Sequence, residues 1–173
     1  MYVKIVVNII LISLVTLFDI GFISQLPYGI SRLSLLPVLI LFIFLLGNIR
    51  WAAWWVIVGG FILELYNFGL YGFHFLGLLL ALVVIVILFE RVMTNRSLYS
   101  VSVVGAAATL SYDLVLFFKS YLENNNNSWL LFLKLEIVNV LYGIAVALLL
   151  FYLLNLVSRR LRPVFLRQQD FKI

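Results

Sequence analysis

The sequence contains no cysteine, a single histidine and few charged residues. Without cysteine the chain has no disulfides, no catalytic thiol and no Cys/His metal site. Charged residues make up only 11% of the 173 residues, whereas a soluble domain has about a quarter. The Gly-x-Ser-x-Gly, His-Glu-x-x-His and Walker A signatures are also missing. We therefore expect neither an enzyme nor a metal or cofactor site.

What the chain does contain is long apolar runs: 65% of its residues are hydrophobic and the mean hydropathy is +1.19. The runs are continuous rather than alternating, which favours helices over a transmembrane barrel. This predicts an all-α integral membrane protein with one domain at 1–157 and a basic cytoplasmic tail at 158–173. The predicted spans are 5–26, 33–47, 51–66, 73–89, 98–118 and 130–157.

The positions of lysine and arginine predict the topology. With six spans and a cytoplasmic N-terminus, nine of these residues lie inside and three outside, as the positive-inside rule requires. Five spans, with 33–47 not crossing and the N-terminus outside, give the same split. Both alternatives place the loop 90–97 and the C-terminus in the cytoplasm. We favour six spans because 33–47 carries no charge.

The net charge of +5 does not indicate nucleic-acid binding. The basic residues lie in loops and in the tail, where topology signals belong. We expect membrane lipid as the partner of the basic tail, since basic residues next to a membrane attract anionic headgroups.

Four acidic residues interrupt the apolar runs, and the six-span topology places all of them in the outer half of the membrane: Asp19, Glu64, Asp113 and Glu136. Small and polar residues share helix faces with them, among them Gly60 with Glu64 and Asn139 with Glu136. One interpretation is that these faces are helix contacts. The other is that the acids line an outward polar cavity. His74 and Arg32 are candidate partners for them.

Glycines concentrate in the segment 59–77, which also holds Glu64 and His74. Because small residues let helix backbones approach closely, Gly59, Gly60 and Gly72 predict a tight outer turn between two closely packed spans.

Several short motifs follow one another between residues 35 and 162: Leu35-Leu36-Pro37, Asn48-Ile49-Arg50, Gly60-x-x-x-Glu64, Gly72-Phe73-His74 and the late intramembrane Asp113. Their order and spacing resemble those of MreD, the rod shape-determining membrane protein family of bacteria. The chain departs from the family pattern at Glu64, where aspartate is usual, and at Tyr71, where proline is common.

The resemblance implies a non-enzymatic scaffold of the cell-elongation machinery in the bacterial cytoplasmic membrane. Its partners would be an MreC-like protein and, through it, MreB and the peptidoglycan synthases. It also implies a fold similar to the substrate-binding subunits of energy-coupling-factor transporters. The alternative function is such a vitamin-binding subunit, with the acids in an outward cavity. Against it, the first run has bulky residues where those subunits carry an Ala-x-x-x-Ala docking surface.

Overall fold

The computed structural model describes residues 2–22, 34–46, 49–66, 72–92, 98–123 and 136–153, and within these ranges it contains six helices and no strand. The predicted all-α fold is confirmed for this part of the chain. The predicted tail at 158–173 lies outside the described residues. The helices are α1 (Tyr2–Gly21), α2 (Leu35–Leu46), α3 (Ile49–Tyr66), α4 (Phe73–Ile87, extended by the π-helical turn Leu88–Val92), α5 (Leu98–Glu123) and α6 (Glu136–Leu153).

Four of the helices are long and apolar enough to cross a membrane: Ile49–Tyr66, Phe73–Val92, Leu98–Leu122 and Glu136–Leu153. Their outer faces carry large apolar side chains, such as Phe61 and Leu141, which are more than half exposed. An apolar exterior is ordinary for helices surrounded by lipid and unusual for a soluble domain. The described bundle is therefore compatible with a multi-pass membrane protein.

The centre of the bundle is α2, which packs against α1, α3, α4 and α5. Its core side chains include Leu36, Ile40 and Leu41, all completely buried. At 1.5 Å per residue its 12 residues span about 18 Å, which is short against a hydrocarbon core of about 30 Å. Because neighbouring helices surround it, α2 is covered along most of its length.

Consecutive helices run in opposite directions, so that polar groups collect at one end of the bundle. The end of α1 lies beside the start of α2, and the end of α3 beside the start of α4. We call this the acidic end, because it holds Asp19, Glu64, Asp113 and Glu136. At the opposite end, α2 and α4 finish side by side, with the rings of Phe44 and Phe89 6.0 Å apart.

Three predicted helix ends are wrong. The first span was expected to stop at residue 26, yet α1 ends at Gly21. The fifth span was expected to stop at residue 118, yet α5 continues to Glu123 and leaves Lys119 only 9% exposed. The fourth was expected to stop at residue 89, yet helical backbone continues to Val92. A charged residue does not by itself end a helix, because the apolar stem of lysine packs while its ammonium group reaches toward water.

Candidate functional site

The shortest polar contact at the acidic end joins α3 to the first turn of α4. The Oε1 atom of Glu64 accepts hydrogen bonds from the backbone N–H of His74, at 2.6 Å, and of Phe75, at 3.3 Å. The first N–H groups of a helix have no partner within the helix, and lipid offers none. Glu64 therefore caps α4 from outside, and its negative charge also suits the positive end of the helix dipole.

Two glycines allow the Glu64 carboxylate to reach the start of α4. Gly72 precedes α4 with a φ of +95° and makes no side-chain cap of its own, a backbone conformation that other residues rarely adopt. A Cβ atom on Gly60 would stand 3.0 Å from the Cα atom of Phe75. The absence of a side chain at Gly60 thus lets α3 approach the α4 backbone closely enough for Glu64 to reach it.

The imidazole of His74 continues the cluster toward α5. Its Nδ1 atom lies 2.8 Å from the hydroxyl oxygen of Tyr112, and both side chains are buried. The backbone of His74 is therefore held by α3 while its ring is held by α5. Gly77, one turn further along α4, allows the same approach, because a Cβ atom there would lie 2.9 Å from the Tyr112 ring.

Asp19 does for α2 what Glu64 does for α4. Its Oδ1 atom accepts a hydrogen bond from the backbone N–H of Leu35, the first residue of α2, at 3.3 Å. Its Oδ2 atom accepts one from the hydroxyl of Ser34 at 3.4 Å. Both distances are long for hydrogen bonds. The second cap is therefore looser than the first, although its architecture is the same.

The third pair of helices, α5 and α6, is joined through side chains. The Nδ2 atom of Asn139 donates to the Oδ2 atom of Asp113 at 3.5 Å, and both residues are buried. Glu136, the first residue of α6, is also buried. Each odd-numbered helix thus brings a carboxylate to the beginning of the even-numbered helix that follows it.

A small polar cavity of about 10 Å³ lies between α2, α5 and α6. It is lined by Ser34, Pro37, Thr109, Tyr112, Asp113, Asn139 and Gly143. A cavity of this size has room for about a single water molecule. The candidate Pro37 therefore contributes to the wall of this cavity, within the first turn of α2.

A much larger groove lies between α4 and α5 on the outer surface. It measures about 720 Å³, and its walls include Leu76, Leu79, Leu114 and Phe118. These side chains are more than 40% exposed. The groove is apolar and belongs to the exposed apolar surface of the bundle.

The structure brings most of the candidate residues into one connected cluster. Gly59 lies outside it: its neighbours are the apolar side chains of Leu36 and Ile12, at ordinary contact distance. His74 lies within the predicted span 73–89 and is the second residue of α4. Among the described residues, no three His, Cys, Asp or Glu side chains come together to hold a metal ion.

Sequence reasoning missed Tyr112 and Gly77. Tyr112 completes the contact to His74 and also lines the polar cavity. One signal was available: a hydroxyl-bearing aromatic residue next to an acid inside an apolar run, since a buried tyrosine hydroxyl needs a partner. Gly77 sits in the same glycine-rich segment as Gly60, but nothing in the local sequence identifies the α5 residue it faces.

Comparison with known proteins finds no family model, no curated protein and no solved structure that matches this chain. The resemblance to the MreD family therefore stays a prediction that depends on the motifs that carry it.

Proposed function

We propose that this protein is a non-enzymatic, six-span scaffold of the bacterial cytoplasmic membrane with a cytoplasmic C-terminus. In this role it binds an MreC-like protein and links it to MreB and the peptidoglycan synthases. The supporting observation is that the buried acids form hydrogen bonds to neighbouring helices. Glu64 and Asp19 hold the starts of neighbouring helices, and Asp113 bonds to α6. Polar groups used in this way fix the shape of a bundle, which is what a scaffold presents to its partners.

Six spans are favoured over five by the position of α2. It begins at the acidic end, where Asp19 caps it, and it finishes beside the end of α4, where Phe44 meets Phe89. The helix α2 therefore runs in the same direction as α4 and between the same two ends of the bundle, and α4 is long enough to cross a membrane. Its shortness is tolerable because other helices cover it.

The vitamin-binding alternative is disfavoured by the size of the polar cavity. Small-molecule sites measure roughly 300–1,000 Å³ and hold a few convergent polar groups. The cavity beside Asp113 and Asn139 measures only about 10 Å³, and the groove of about 720 Å³ between α4 and α5 is apolar and contains none of the four acids. A vitamin would have to separate α2, α5 and α6 to enter. We expect no member of a vitamin panel to stabilise the purified protein against heat, and clear stabilisation by one of them would favour the transporter subunit.

Recovery of an MreC-like partner tests the scaffold role. Tagged protein is purified from membranes of a rod-shaped bacterium that also produces the MreC-like protein, and recovery is normalised to the amount of chain in the membrane. The wild type should retain the partner, while Glu64→Leu and Asp113→Leu should weaken its recovery and round the cells. Glu90→Leu is the matched control, because Glu90 is exposed at the opposite end. Unchanged recovery and cell shape in both variants would contradict the role assigned to these acids, and failure of the wild type to retain the partner would contradict the function itself.

A further inference from the structure

An apolar groove of about 720 Å³ follows the line where α4 and α5 meet on the outer surface. Its walls include Leu76 and Leu79 of α4 and Leu114 of α5, all of them more than 40% exposed. Ser111 is the polar member of this wall among the described residues, and its hydroxyl donates to the carbonyl oxygen of Ala108 at 2.8 Å. The groove therefore offers apolar contacts to whatever occupies it.

The groove is as long as one half of a membrane-spanning helix. Its α4 wall runs from Phe73 to Val83, which is about 15 Å at 1.5 Å per residue. The whole helix Phe73–Val92 has 20 residues and spans about 30 Å, the thickness of the hydrocarbon core of a bilayer. In a membrane the groove would thus extend from the boundary of that core to its middle. An acyl chain of one leaflet fits this length, whereas a partner's transmembrane helix needs twice as much.

A positive charge lies at the end of the groove where a lipid headgroup would be. Lys119 follows Phe118, which lines the groove, and lies one helical turn beyond Val115 of the same wall. It also acts electrostatically on His74, the neighbour of Phe73, so its charge is near the start of α4. Lys119 is 9% exposed, and in such a position the stem of a lysine packs while its ammonium group reaches toward the headgroups.

The acidic residues at this end of the bundle do not occupy the groove. None of the four acids lines it. Glu64 and Asp113 instead bond to the α4 backbone and to Asn139 of α6. We propose that the groove between α4 and α5 binds one phospholipid of the surrounding membrane, with an acyl chain along the leucines and the phosphate beside Lys119. The proposal rests on the membrane location of the proposed function, not on an MreC-like partner.

Native mass spectrometry of the full chain in detergent tests the proposal. Delipidated protein is titrated with phosphatidylglycerol and, separately, with diacylglycerol that carries the same acyl chains but no phosphate. We expect one phosphatidylglycerol per chain in a saturable manner. Because a basic residue near the membrane surface attracts anionic headgroups, diacylglycerol should bind about fivefold more weakly. Equal binding of the two lipids, no saturable binding, or a lipid-free dimer that phosphatidylglycerol does not dissociate would overturn the proposal.

Tryptophan variants locate the acyl chain. Leu79→Trp fills the groove from the α4 wall and should abolish binding of phosphatidylglycerol, and Leu114→Trp should do the same from the α5 wall. Leu141→Trp is the matched control, because Leu141 is an exposed leucine of α6 outside the groove. If both groove variants bind the lipid as well as the control does, the acyl chain lies elsewhere and the proposal is wrong.

Replacement of the lysine tests the position of the phosphate. Lys119→Gln should lower the affinity for phosphatidylglycerol about fivefold and leave that for diacylglycerol unchanged. Arg50→Gln is the control, because Arg50 is exposed at the opposite end. A change at Lys119 no larger than that at Arg50, or an equal loss for both lipids, would contradict a phosphate beside Lys119.

Photocrosslinking separates a lipid held in the groove from the lipid that surrounds any membrane protein. The chain is reconstituted into phosphatidylglycerol vesicles that contain a trace of phosphatidylglycerol with a diazirine in its acyl chain, and the labelled residues are mapped. Labels should concentrate at Leu79 and Leu114 over Phe61 and Leu141, which are exposed elsewhere on the bundle. Uniform labelling would overturn the proposal. Failure of the chain to enter the vesicles would contradict the membrane location itself, whereas loss of an MreC-like partner would leave lipid binding unchanged.

Discussion

The two ends of the bundle differ in how far their charged side chains are exposed. At the acidic end Asp19, Glu64 and Asp113 are at most 9% exposed. At the opposite end the charged residues that the structure describes are exposed, among them Arg50 and Glu90. The same chemical groups are thus internal contacts at one end and surface groups at the other.

The difference follows from where the helices begin. At the acidic end, α2 and α4 start within the bundle, and their first N–H groups need acceptors that lipid does not supply. A carboxylate from the preceding helix meets this need. At the opposite end the charged side chains that the structure describes are exposed and need no such partner, so removing one changes little.

Replacing Glu64 should have the largest effect. Glu64→Leu removes both cap bonds and leaves the N–H groups of His74 and Phe75 without their acceptor, which should cost about 3 kcal/mol. In a chain of this size each kcal/mol of lost stability lowers Tm by about 2–4 °C. Thermal unfolding in detergent should therefore show a large decrease in Tm. Glu64→Gln, which keeps an acceptor oxygen, should lie between Glu64→Leu and the wild type.

The control for this prediction is Glu90→Leu at the opposite end. Because Glu90 is exposed, its replacement should change stability by less than about 0.5 kcal/mol. Similar losses at the two positions would contradict the contrast between the ends.

Gly60→Ala should cause the second largest loss of stability, because the added methyl group pushes apart α3 and α4, the two helices that the Glu64 cap connects. The new Cβ atom would meet the Cα atom of Phe75 at 3.0 Å, and a backbone atom cannot rotate away. Overpacking of this kind costs about 1–3 kcal/mol. Gly21→Ala is the matched control, since nothing lies within 4 Å of a Cβ atom there. A loss of Tm at Gly60 no greater than that at Gly21 would show that α3 and α4 do not need their close approach.

Sequence reasoning could recover the acids of this cluster but not all of their partners. Glu64 and His74 were expected together because only one turn separates their helices. The pairing of His74 with Tyr112 was not expected, because 38 residues separate the two in the sequence. Their contact depends on how α4 packs on α5. Local patterns of helix faces identify which residues point inward, whereas the choice of partner depends on the packing of three or more helices. The end of α5 was also misjudged, since Lys119 is charged and yet lies buried within the helix.

Tyr112→Phe should have a smaller effect than either change in α3. It removes the hydroxyl that lies 2.8 Å from the Nδ1 atom of His74 but leaves the ring that packs against Gly77. Loss of one buried hydrogen bond costs about 1–1.5 kcal/mol. Tyr121→Phe serves as the control, because Tyr121 lies on the same helix and is 44% exposed. A larger loss of Tm for Tyr121→Phe would contradict the contact to His74.

Asp19→Asn should have the smallest effect of the buried changes and compares the two caps directly. Asparagine keeps an oxygen that can accept from the Leu35 N–H, and asparagine and aspartate are about equally good caps. The bonds of Asp19 are also long, at 3.3 and 3.4 Å, against 2.6 Å for the shorter bond of Glu64. We expect Asp19→Asn to cost about 0.5 kcal/mol and Asp19→Leu to cost more, as measured by thermal unfolding. If Asp19→Asn instead lowers Tm as much as Glu64→Leu, the negative charge rather than the acceptor oxygen holds α2 in place, and the two caps differ in kind.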